Sequence, residues 1–64
     1  MNYKVEYSHI RNGRRVTEYD TTFQLTAQDA ADTIREWYGD LDGFRIERIY
    51  KDAGDCWAIS EAWD

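Results

Sequence analysis

The chain is 64 residues long, carries a formal net charge of −5, and is 42% hydrophobic and 16% aromatic, with no proline and one cysteine. That length makes a single domain, residues 1–64, near the lower limit for folding without staples. One cysteine excludes both an internal disulfide framework and a cysteine-built metal site. The acidic balance argues against general affinity for nucleic acid, which needs positive surface to displace counterions.

No apolar run nears the ~20 residues of a membrane span, and the N-terminus lacks the pattern of a signal peptide. A lone thiol suits a reducing compartment. A soluble, cytoplasmic protein with no membrane partner is therefore expected. Charge is unevenly spread. Residues 1–16 carry +3, through Lys4, Arg11, Arg14 and Arg15 against Glu6, whereas residues 17–44 carry −6. Such polarity suits orienting a partner, and plain solubility accounts for it equally well.

The first strand is Tyr3-Lys4-Val5-Glu6-Tyr7, in strict apolar–polar alternation. A second is expected over Tyr19–Leu25, with Tyr19, Phe23 and Leu25 sharing a face. Between them, Arg11-Asn12-Gly13-Arg14 is a hairpin signal, because Asn and Gly tolerate positive φ. A two-residue turn would oppose odd positions to even ones and put the two apolar sets on opposite faces. A three-residue loop with Gly13 in a bulge position brings Val5 opposite Tyr19, and this register is preferred, although a bulge further along would also restore parity.

Thr26 is placed as an N-cap with Asp29 three residues on, and Leu25 and Ala30 are placed as a hydrophobic staple. Ala27, Ala30, Ala31, Ile34, Trp37 and Tyr38 then form one stripe of a 3.6-period helix, which Gly39 ends as a C′ residue. This makes Trp37 a core anchor. Phe44–Tyr50 begins in alternation and changes phase at Ile49. A turn over Lys51–Asp55 leads to a final strand, Cys56–Trp63, whose buried face is undetermined.

Two strands, a helix and two strands make an α+β domain of ββαββ order: a four-stranded sheet of two hairpins with one helix packed across one face. The opening Met1-x-Tyr3-Lys4, Asn12-Gly13 in the first turn and Asp42-Gly43 before the third strand resemble the immunoglobulin-binding domain of protein G. In that β-grasp family the first and last strands pair in parallel at the sheet centre, so the resemblance implies the same pairing here. It does not carry antibody binding, since that family presents lysines where this helix has Asp29, Asp32 and Glu36.

Catalysis is not expected. One histidine and one cysteine, His9 and Cys56, sit in separate hairpins, and each has a plainer reading: a solvated strand-end ring and a packed thiol. Asp40-x-Asp42-Gly43 matches a calcium loop only in its opening, and zinc spacings and phosphate loops are absent, so neither metal nor cofactor is expected. Two binding readings follow. The first is a protein–protein module offering Asp29, Asp32, Glu36, Asp40 and Asp42 to a basic partner, as an inhibitor or nucleic-acid mimic from a phage or mobile element would. The second is nucleic-acid binding by Arg11, Arg14 and Arg15, joined by Arg45, Arg48 and Lys51 with aromatics for stacking. Turn chemistry alone also accounts for the arginines, since charge at a hairpin tip discourages edge pairing. Oligomeric state is left open.

Overall fold

The computed structural model describes residues 1–60. Its elements are β1 (Asn2–Arg11), β2 (Arg14–Phe23), α1 (Ala27–Tyr38), β3 (Arg45–Asp52) and β4 (Trp57–Ile59). They form one antiparallel sheet in the order β2-β1-β3-β4, with α1 across one face. The ββαββ order and two-layer α+β architecture are as the sequence implies. The expected parallel pairing of first and last strands is not made. The second neighbour of β1 is β3, because β3 holds the fully buried Ile49 and belongs at the centre, whereas β4 is short and exposed.

The hairpin closes through two residues, not three: Arg11 pairs with Arg14, Val5 with Asp20 and Tyr3 with Thr22. Asn12 (φ 53°) and Gly13 (φ 78°) both adopt the left-handed region, the pair of conformations that matches the twist of adjoining strands. The preferred register is thereby overturned. It assumed that the apolar residues of β2 face the core, whereas Tyr19 and Phe23 point away from the helix, 56% and 70% exposed. Towards the helix β2 turns Thr22, Asp20 and Glu18, whose polar groups find partners there. Leu25 lies beyond the strand and is 84% exposed, so it does not staple the helix over Ala30.

The core is Tyr3, Val5 and Tyr7 of β1, Ile49 of β3, and Ala27, Ala30, Ala31 and Ile34 of α1, with Tyr38, Phe44 and Ile46 packed against it. The phase change in β3 is a bulge: Glu6 pairs with Arg48 but Tyr7 with Ile46, leaving Glu47 as the extra residue. Ile46 and Ile49 consequently serve the same face. Thr26 caps the helix, its hydroxyl accepting from the Asp29 N–H at 3.1 Å. Gly39 ends it in a right-handed conformation, φ −60°, not the left-handed one of a C′ glycine. Trp37 is 55% exposed and is no core anchor; Tyr38 takes that place, stacked on Tyr7 with centroids 4.9 Å apart. In the final strand, Trp57 and Ile59 lie on the face away from the helix; the expected extension through Glu61, Ala62 and Trp63 lies outside the described residues. Among the described residues, no helix is long and apolar enough to cross a membrane.

Candidate functional site

Successive helical residues turn by about 100°, which sets Asp29, Asp32 and Glu36 diametrically opposite the buried Ala27, Ala30, Ala31 and Ile34. All three acids are exposed. Asp32 accepts from Gln28 (3.1 Å) and pairs with Arg35 (3.3 Å), while nothing apolar of the core reaches this side. Trp37 stands at the exposed edge of the apolar stripe, edge-on to Tyr38, with Thr33 between it and Asp29. Asp40 and Asp42 are exposed in the loop that follows, and the Asp42 carbonyl accepts from the Ile10 N–H at 2.7 Å. That bond ties the loop to the end of β1: the three helix acids share a face, while the two loop acids sit past the helix C-terminus, held against the sheet.

The three hairpin arginines do not form one patch. Antiparallel pairing puts Arg11 and Arg14 on the helix side of the sheet and Arg15 on the other. Arg11 lies 3.5 Å from Glu18. Arg15 donates to the Ser8 hydroxyl (2.8 Å) and the Gly43 carbonyl (2.9 Å), stitching the loop before β3 to the first hairpin.

Arg11 also lines a cleft of about 460 Å³ with Tyr7, His9, Ile10, Glu18, Tyr38 and Leu41. His9 is buried here, not solvated; its Nε2 donates to Glu18, and its ring stacks 6.2 Å from Tyr7. Alternation could have shown this, since His9 continues the Tyr3, Val5, Tyr7 face. Tyr38 donates to Asp20, and that bond pushes the Tyr38 phenol up to about 12. Burial, then the charges of Glu18 and Asp20, push Tyr7 up as well. Both phenols stay protonated at neutral pH, so neither serves as a base, and Tyr38 acts as a donor to Asp20. A histidine–carboxylate pair is half of a nucleophile-activating arrangement, but no Ser, Thr or Cys lines the cleft. Cys56 is exposed beside β4, at the opposite end of the sheet from His9, so the two make no pair. Among the described residues, no group of three or more His, Cys, Asp or Glu is placed to hold a metal ion.

The sheet face away from the helix was not singled out by the sequence pattern, yet its charged groups are joined by a set of hydrogen bonds and ion pairs. Glu6 accepts from Arg48 (3.0 Å) and from the Tyr50 hydroxyl (2.9 Å), which raises the Tyr50 phenol. The bulged Glu47 accepts from Ser8 and from Arg45 (2.9 Å), and both bonds hold its carboxyl below the usual range. Lys4 places its ammonium 5.2 Å from the ring centroids of Tyr50 and Trp57 and 5.5 Å from that of Tyr19. Of the second binding reading's extra cations, Arg45 and Arg48 belong to this face, while Lys51 alternates to the helix side.

No protein-family model matches the chain, and neither a curated protein nor a solved structure matches it.

Proposed function

We propose that the protein is a non-catalytic protein-interaction module that presents the outer face of α1 to a partner with a basic surface. One observation carries this reading: Asp29, Asp32 and Glu36 share the helix face opposite the buried stripe, and an exposed tryptophan stands on the flank of the same helix. Acids in that position contribute nothing to packing. Their charge raises the rate and selectivity of encounter with a cationic surface, and an exposed Trp is the residue type most often found as an interface anchor. Asp40 and Asp42 lengthen the acidic surface. A row of carboxylates on a rigid helix offers a nucleic-acid-binding protein some of the charge it would meet in phosphates, so an inhibitor acting as a nucleic-acid mimic is the finer form of the proposal.

The test is capture of partners from the lysate of the encoding organism, with and without nuclease, by wild type and by Trp37→Ala. Capture that survives nuclease, weakens with salt and falls at least about tenfold in Trp37→Ala supports an acidic surface with an aromatic anchor, as about 1.4 kcal/mol is expected from such a residue. Capture abolished by nuclease contradicts it and favours the arginine reading.

A further inference from the structure

The monomer distributes its large apolar side chains unusually. Among the described residues, only Tyr3, Val5, Tyr7, Ile34 and Ile49 are buried of the larger apolar ones, and three of the eight buried apolar residues are alanines. Tyr19, Phe23, Trp57 and Ile59 are exposed instead, all on the sheet face that the helix leaves uncovered. Strand register gathers them at one end. Phe23 lies opposite Asn2 and Trp57 opposite Asp52; Lys4 sits beside Tyr50 and Tyr50 beside Ile59; Tyr19 is level with Glu6 and Arg48. The result is a set of rings and one isoleucine spread over β2, β3 and β4, with Tyr19, Tyr50 and Trp57 gathered about Lys4 of β1 and Phe23 set apart beyond Asn2. Four large apolar side chains exposed on one face of a sheet this small leave that face open to a partner.

We infer that this uncovered sheet face is the interface of a homodimer, in which two copies stack sheet on sheet about a two-fold axis. Three features select a second copy as the occupant. The first is charge. Lys4, Arg15, Arg45 and Arg48 stand there against Glu6, Glu47 and Asp52, so the face is close to neutral in a molecule of net charge −5. Two acidic helix faces repel each other, whereas two sheet faces meet almost without penalty. That near-neutrality also makes the face a poor match for nucleic-acid phosphate.

The second is the state of those charges before contact. Glu6 is already satisfied by Arg48 and Tyr50, and Glu47 by Ser8 and Arg45. The Lys4 ammonium lies among three rings. Paired and ring-compensated groups lose less on leaving water than lone ones do. The third is size. The molecule measures 37 × 21 × 16 Å, and the shortest dimension suits the stacking of sheet and helix. The sheet face therefore spans at most the product of the other two, about 780 Å². A standard interface buries ~800 Å² per partner, so the available face reaches that scale if most of it is used. Sheet stacking at roughly 10 Å would bring the exposed rings of the two copies together.

In such a dimer both acidic helices point outward on opposite sides, so each assembly offers two copies of the proposed partner-binding surface. The inference uses the layer opposite to that surface, and either can fail without the other.

Sedimentation equilibrium of the full chain across the micromolar range tests it. Wild type should show twice the 7.6 kDa chain mass at the upper concentrations. The double variant Tyr19→Lys/Ile59→Lys should show the chain mass alone while circular dichroism stays that of the folded protein. If that variant does not fold, Phe23→Lys, placed at the end of β2, should give the same halving. A wild type that stays monomeric throughout overturns the inference, as does a folded variant that still dimerises. So would a monomer that binds single-stranded oligonucleotide through this face.

Discussion

Two residues on α1 separate core from surface. Ile34 is fully buried and Trp37 half-exposed, although both continue the same apolar stripe. Ile34→Ala should cost about 3 kcal/mol, whereas Trp37→Ala should cost less than about 1 kcal/mol. Urea titration of the two variants checks this, and equal losses would restore Trp37 to the core. Periodicity alone could not distinguish them, because Trp37 lies at the edge of the stripe and Tyr38, stacked on Tyr7, fills the last place over the sheet. At Gly43, φ is +63° and an added Cβ would lie 2.8 Å from Ile10 Cγ1. Gly43→Ala should therefore destabilise by about 2 kcal/mol, through left-handed strain and displacement of Ile10. Tyr38 offers a titration. Its phenol is raised to about 12 by the bond to Asp20, so the bond favours the protonated form. Its stabilisation is complete below pH 10 and is lost as pH rises towards about 12. Tyrosinate absorbance should show Tyr38 moving down towards the ordinary range in Asp20→Asn, with Tyr7 falling in the same direction as the Asp20 charge is lost; an unchanged curve would mean that the bond does not hold the proton.

Among the elements, β1, the turn residues, the helix with its Thr26 cap and the phase change of β3 were all legible in the sequence. Each is a local signal: alternation, positive-φ residue types, a capping side chain, a slip in period. The hairpin register was not legible, because it depends on where the polar residues of β2 find partners. Asp20 meets Tyr38 and Glu18 meets His9, so a polar edge strand can face the helix and leave Tyr19 and Phe23 outside. The parity rule was sound; its premise of an apolar inner face on every strand was not. The bulge in β3 carries its own prediction. Hydrogen bonds from Ser8 and Arg45 lower the Glu47 carboxyl from its ordinary value of 4.5. The ionised form is thus the stabilising one, effective above pH 4.5 and lost as pH falls through the lower folded value. Glu47→Gln should melt below wild type at neutral pH, with the gap closing in acid. A gap that persists at low pH would assign the loss to packing.

Seen as one molecule, the protein sorts its surface by layer. The helix layer is acidic, with Trp37 at its edge, and the sheet layer is nearly neutral, apolar at one end and laced with ion pairs at the other. The candidate acids were readable from helical spacing. The sheet face was not, since its charged and aromatic residues come from four separate strands and meet only through the register. In the proposed function the helix acids bind a partner and the hairpin arginines do not. Two triple variants compared in the same nuclease-treated capture experiment test it most directly: Asp29→Lys/Asp32→Lys/Glu36→Lys and Arg11→Ser/Arg14→Ser/Arg15→Ser. The acid reversal should keep the wild-type fold by circular dichroism and lose the partner. The arginine variant should keep the partner and lose a little stability, mainly through the bonds Arg15 makes to Ser8 and Gly43. A folded acid-reversed protein that still captures the partner, beside an arginine variant that does not, would contradict the account.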